Sequence, residues 1–105
     1  MDFFDKQTSI DHAIVKAAVE CTPESWVDIL MIARVLPDSN APVEIELQNA
    51  SRREAESASP DLCAHVLALL EIYKSHSKKQ WVQATYRIYK TPLEDWNYEA
   101  KYIYE

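Results

Sequence analysis

The chain contains no glycine in its 105 residues. It therefore lacks the residue that most readily takes positive φ and lets a backbone approach a ligand closely. Phosphate-binding loops, dinucleotide fingerprints and the nucleophile elbow of α/β-hydrolases all need glycine at fixed positions, so the enzymes built on them are excluded. The same absence implies that strands are joined by longer, proline-shaped turns rather than by two-residue turns. Cysteine is nearly as scarce. Cys21 and Cys63 stand far apart, with no Cys-x-x-Cys pair and no histidine at zinc-finger spacing, so no metal site is expected. Both read as reduced thiols on the apolar side of a helix. No apolar run is long enough to cross a bilayer, and Asp2 and Asp5 lie where a secretory signal needs basic residues. A cytoplasmic protein without membrane contact is the expectation.

Basic residues are also in deficit. Eleven Lys and Arg stand against seventeen Asp and Glu, for a formal charge of -6. Such a field repels phosphate backbones and makes nucleic acid a poor direct partner, whereas a basic protein is its natural complement. The acidity of many proteins serves solubility alone. The 48% hydrophobic and 27% charged content is that of a globular chain, and the length fits one domain spanning 1–105.

Ile10, Ala13, Ile14, Ala17, Ala18 and Cys21 recur at helical spacing, capped by Thr8 or Ser9 and stopped before Pro23. Between Trp26 and Leu36 the odd positions are all apolar and the even ones mixed, the pattern of a central strand. After the turn-forming run Pro37–Pro42, Val43, Ile45 and Leu47 alternate with Glu44, Glu46 and Gln48 as the second strand of a hairpin. Residues 50–59 are polar and of low complexity, a loop or a loose helical turn. Ser59-Pro60-Asp61 then opens a helix, with a capping serine, proline at the first helical position and an acid on the dipole. Its buried stripe is Leu62, Val66, Leu69, Leu70 and Tyr73. Two more alternating runs follow, Trp81–Lys90 and Trp96–Glu105, with Thr91-Pro92-Leu93-Glu94-Asp95 between them.

The pattern predicts an α+β fold of order α-β-β-α-β-β: a four-stranded, mainly antiparallel sheet with helices 9–21 and 60–77 on one face. Each half is a helix and a hairpin, and each first strand opens on Trp-Val, at Trp26 and at Trp81. Two such dipeptides can also arise by chance.

No catalytic constellation assembles from these residues. His65 and His76 are about three helical turns apart, too far to share an ion. Cys63 and His65, two apart on a helix, diverge, which leaves Cys63 with His12, or Cys21 with His65, as the candidate nucleophilic pairs. Glu44 with Glu46 and Glu54 with Glu56 read as solvated carboxylates. The three tryptophans and most of the tyrosines fall at strand starts and on the buried face of the last strand, so they read as core and not as a base-stacking platform.

The segments Thr22-Pro23-Glu24-Ser25-Trp26, Leu70-Glu71-Ile72-Tyr73-Lys74, Lys78-Lys79-Gln80-Trp81 and the closing Asp95–Glu99 and Tyr102–Glu105 carry a resemblance over nearly the whole chain. It resembles the small acidic immunity proteins encoded beside bacterial polymorphic toxins, including nuclease toxins of contact-dependent systems. It departs from them at Lys79 and Glu94, where relatives of that kind usually have glycine. The resemblance implies a protein without enzymatic activity that neutralises a cognate toxin domain by occluding it; taken with the acidic charge, the expected partner is a basic nuclease domain, and no cofactor is expected. The expected interface is the sheet face opposite the helices, with Asp28, Glu44, Glu46 and Glu99 standing in for phosphates and Trp26, Leu30 and Ile32 as apolar anchors. The alternatives are that the 50–59 segment or a second copy covers Leu30 and Ile32, that the chain is a homodimeric adaptor, or that it is a small Cys/His enzyme.

Overall fold

The structure, a computed structural model, describes residues 3–36, 43–50, 54–76 and 80–104. Their elements are α1 (Phe3–Glu20), β1 (Asp28–Val35), β2 (Val43–Asn49), β3 (Ala55–Glu56), α2 (Pro60–Ser75), β4 (Trp81–Lys90) and β5 (Trp96–Tyr104). The sheet has five strands, not four, in the order β3-β2-β1-β4-β5, and every neighbouring pair is antiparallel. The additional strand comes from the segment expected to be a loop or helical turn. Ala55 and Glu56 pair with Gln48 and Leu47. Two residues joined through their main chains leave no periodic trace in a sequence.

The helix α1 also begins earlier than expected, at Phe3, so Thr8 and Ser9 lie inside it and do not cap it. Its inward stripe is Phe3, Asp11, Ile14, Ala17 and Ala18. A charged residue at its centre hides the stripe's true beginning. The helix ends as Pro23 requires. The Thr22 hydroxyl lies 3.0 Å from the Ala18 carbonyl and 3.2 Å from that of Val19, and so donates to the last turn. At the start of α2 the Ser59 side chain accepts from the Leu62 N–H at 3.1 Å, and Pro60 takes the first helical position as expected.

The strand β1 lies at the centre of the sheet. Ile29, Met31 and Ala33 face Ile88, Tyr86 and Ala84 on β4 and Asn49, Leu47 and Ile45 on β2. They form one core with Ile14, Ala17, Ala18, Leu62, Val66 and Leu69 of the helices, which therefore share this face of the sheet. Trp26 and Trp81 are as far apart in sequence as Met31 and Tyr86, which face each other in the ladder. The two helix-hairpin halves thus join through β1 and β4 with their Trp-Val starts at matching distances from the paired residues Met31 and Tyr86. Among the described residues no helix is long and apolar enough to cross a membrane.

The turn joining β4 to β5 is proline-shaped, as the lack of glycine implied. The Glu94 N–H donates to the Thr91 carbonyl at 2.9 Å, placing Pro92 second in the turn. Glu94 itself takes φ 65°, the left-handed region that glycine adopts without cost. The run Pro37–Pro42 lies outside the described residues, as does Lys79.

Candidate functional site

The alternation of a strand assigns alternate side chains to opposite faces. Opposite the helices, β1 presents Asp28, Leu30, Ile32 and Arg34, whose ladder partners are Glu44, Glu46 and Gln48 on β2 and Gln83, Thr85, Arg87 and Tyr89 on β4. Beyond β4 lie Asn97, Glu99, Lys101 and Ile103 of β5. Among the described residues no helix lies on this face. Six of the seven expected contact residues, Asp28, Leu30, Ile32, Glu44, Glu46 and Glu99, are brought together on it.

Trp26 is not among them. It is only 2% exposed and belongs to the core, because it precedes β1 and its N–H closes a turn onto the Pro23 carbonyl at 2.9 Å. Counting strand parity backwards from Asp28 therefore assigns it the wrong face. A shallow cleft of about 340 Å³ adjoins it, lined also by Val19, Pro23, Glu24, Lys90 and Trp96.

The charges of the open face differ from the acidic surface expected. Arg87 grips Asp28 through two bonds, Nε to Oδ1 at 3.3 Å and Nη2 to Oδ2 at 3.1 Å, and its guanidinium lies 5.4 Å from the centre of the Tyr89 ring. Glu46 accepts from Arg34 at 3.3 Å and from Gln48 at 2.8 Å. Glu99 stands across from Arg87 in the β4–β5 ladder. The four carboxylates are thus interleaved with Arg34, Arg87 and Lys101. The face is a mixed-charge lattice around two aliphatic side chains, Leu30 and Ile32, both half-buried. Leu30 stands between Gln48 and Arg87, and Ile32 between Glu46 and Thr85. Within the 50–59 segment, Ala55 and Glu56 extend the sheet beyond β2 and do not fold over that pair.

A second polar assembly, absent from the sequence expectations, lies between α1 and the β4–β5 hairpin. Tyr86 donates its hydroxyl proton to Asp11 Oδ1, and Tyr98 donates to Oδ2 at 3.4 Å. With its proton committed to Asp11, Tyr86 must accept from Tyr102, whose hydroxyl is 2.8 Å away. Gln7 donates both to Tyr102 at 3.1 Å and to Tyr73 at 3.2 Å. Burial lifts the Asp11 carboxyl above its ordinary value, against the opposing pull of the Tyr86 and Tyr98 bonds and of His12. Burial likewise raises the Tyr86 and Tyr73 hydroxyls, and takes Tyr102 up to about 12. Every hydroxyl is thus fixed in its neutral form, so the assembly locks α1 onto β4 and β5. The signal available in the sequence was the acid at position 11 inside an apolar stripe.

Cys21 and Cys63 are free and half-buried. The Cys21 thiol points to the Ala18 carbonyl at 3.6 Å, a local helical contact. Among the described residues no group of three or more His, Cys, Asp or Glu side chains could hold a metal ion. Set against known proteins, the chain matches no family model and no curated sequence.

Proposed function

We propose that the chain is a binding protein of the immunity type, which neutralises a cognate toxin domain by docking the open face of its sheet over it and carries out no catalysis itself. The observation that carries this reading is the pairing of Leu30 and Ile32 at the centre of a face that no helix of the described residues covers, ringed by Asp28, Glu44, Glu46, Glu99, Arg34 and Arg87. An apolar centre with a polar, charged rim is the arrangement of protein interfaces, where a few desolvated anchors supply most of the affinity. The net charge of -6 favours a basic partner such as a nuclease domain, acting as a long-range field that speeds encounter. Because Asp28 and Glu46 are already paired with arginines, specificity on this face comes from the pattern of both signs and not from bulk acidity.

The test is titration of the purified chain against the polypeptide encoded immediately upstream of it. Nanomolar or tighter binding, about -12 kcal/mol, is expected, as holding a leaked toxin requires. Replacing the anchors in a Leu30→Thr, Ile32→Thr double variant keeps strand propensity while removing apolar area, and should weaken binding by a hundredfold or more, about 3 kcal/mol. Absence of binding by the wild-type chain removes the immunity reading. Unchanged affinity in the folded double variant moves the interface off this face.

A further inference from the structure

The sheet ends on one side at β5, a strand of nine residues whose outer edge pairs with no other strand among the described residues. Edge strands of this length are ordinarily blunted by proline, by a bulge or by unmatched inward charge, because their free N–H and C=O groups recruit other strands. Between Trp96 and Tyr104 there is no proline, and the register irregularity of the β4–β5 ladder falls between Trp81 and Gln83, at the start of β4. Glu99 and Lys101 both lie exposed on the open-face side of the strand, two residues apart. The exposed Lys101 would discourage most strands, but with Glu99 two residues away the edge fits a partner strand that carries the same two charges in reverse order.

We infer that this partner is a second copy of the same chain, paired antiparallel through β5 about a two-fold axis at Ala100. Joining two edges by a two-fold normal to the sheet opposes residues that share a face, so the axis must pass through a residue and not between two. If it passed through Glu99, that carboxylate would face its own copy; through Lys101, two ammonium groups would meet. Through Ala100, each Glu99 faces a Lys101, and two ion pairs of opposite sign form. The same register is the one that pairs the whole strand, because Ala100 is the midpoint of Trp96–Tyr104. On the helix side it sets Tyr98 against Tyr102 and Trp96 against Tyr104, aromatic pairs of the kind that stabilise antiparallel strands, with the small Ala100 side chains at the axis. On the open side Asn97 meets Ile103, which is 53% exposed in the single chain. Charge, length and side-chain size thus select one register. The product is a continuous ten-stranded sheet whose two open faces lie side by side, leaving Leu30 and Ile32 of both copies free.

Sedimentation equilibrium of the purified chain over a wide concentration range tests this without reference to any toxin. A reversible dimer is expected. Lys101→Glu turns both ion pairs into repulsions and should weaken association at least about tenfold, whereas the Glu99→Lys, Lys101→Glu double variant restores opposite signs and should recover most of it. Should a charge variant misfold, the axis is read by crosslinking in a Cys21→Ala, Cys63→Ala background. An Ala100→Cys variant places its two thiols on residues about 4.5–5.5 Å apart at the axis, within disulfide range, so it should form a covalent dimer on mild oxidation, while Asn97→Cys should not. A chain that stays monomeric at high concentration overturns the inference, as does a dimer indifferent to Lys101→Glu or crosslinked equally well from position 97. None of these results bears on the docking of a toxin at Leu30 and Ile32.

Discussion

Asp11 shows how much a single buried group can govern. Its carboxyl sits on the inward stripe of α1 and accepts from Tyr86 and Tyr98. Desolvation raises its pKa above the ordinary value of 3.8 more strongly than those bonds and His12 lower it. The folded chain therefore holds this proton more tightly than the unfolded chain does. The resulting stabilisation is fully present below the unfolded value and is lost as pH rises through the folded one. Asp11→Asn should flatten the stability profile across that window while costing little at neutral pH, since an amide can accept from Tyr86 and donate to the Tyr98 oxygen. Asp11→Ala removes the acceptor and leaves two tyrosine hydroxyls short of a partner, for a loss of about 1–3 kcal/mol. Urea unfolding of the three proteins from mildly acidic to neutral pH separates these outcomes; a wild-type profile as flat as that of the asparagine variant would show that Asp11 is not the titrating group. The cysteines stand at the other extreme. Neither Cys21 nor Cys63 is fully buried, so replacing both with alanine should shift the melting temperature by only a few degrees.

Two positions decide how elements begin and turn. Ser59 caps α2 through the Leu62 N–H, and Ser59→Ala should cost about 1 kcal/mol in thermal or urea unfolding. Glu94 holds a left-handed conformation at φ 65° in the turn between β4 and β5. Glu94→Gly relieves the clash of its Cβ but frees the unfolded chain, so a net gain of up to about 1 kcal/mol is expected, while a β-branched residue there should destabilise. Loss of stability in the glycine variant would show that the Glu94 side chain contributes more than its backbone costs. The elements legible in the sequence were those with strong periodicity and chemical punctuation: α2 from Ser59-Pro60, the two long hairpins, and the end of α1 from Pro23. What escaped had no such signature. The strand β3 is too short to alternate, and the first turns of α1 are masked by Gln7 and Asp11, polar residues whose tyrosine partners come from α2, β4 and β5. Alternation placed Leu30, Ile32, Glu44, Glu46 and Glu99 correctly on a common face. It failed at Trp26, where the strand has not yet begun, and it could not show that β1 lies beside β4, on which the grip of Arg87 on Asp28 depends.

At the scale of the whole molecule, the charge of -6 and the composition of the open face have to be separated. On that face Asp28, Glu44, Glu46 and Glu99 are opposed by Arg34, Arg87 and Lys101, so most of the excess acid lies elsewhere. A distributed charge of this kind acts at long range, where it steers a basic partner and is screened by salt; close contact is governed by Leu30, Ile32 and the local ion pairs. The two acids on β2 consequently differ in what they test. Glu46 is tied to Arg34 and Gln48, so reversing it breaks those bonds and sets a lysine beside an arginine. Glu44 is exposed and stands across from Arg34, whose guanidinium is bonded to Glu46, so reversing Glu44 adds only a solvent-exposed cross-strand repulsion. Glu44→Lys should leave stability within about 0.5 kcal/mol of the parent. The Glu44→Lys, Glu46→Lys pair should lose about 1 kcal/mol more, as expected for an exposed ion pair turned into a repulsion. In stopped-flow measurements with the cognate basic domain, both should slow association at low salt and approach the parent rate at high salt, because the change is in the steering field. Dissociation should rise mainly in the double variant, where the rim around Ile32 is disrupted. If instead Glu44→Lys alone accelerates dissociation at every salt concentration and leaves association untouched, Glu44 is a desolvated contact, and the centre of the interface shifts from Leu30 and Ile32 toward β2.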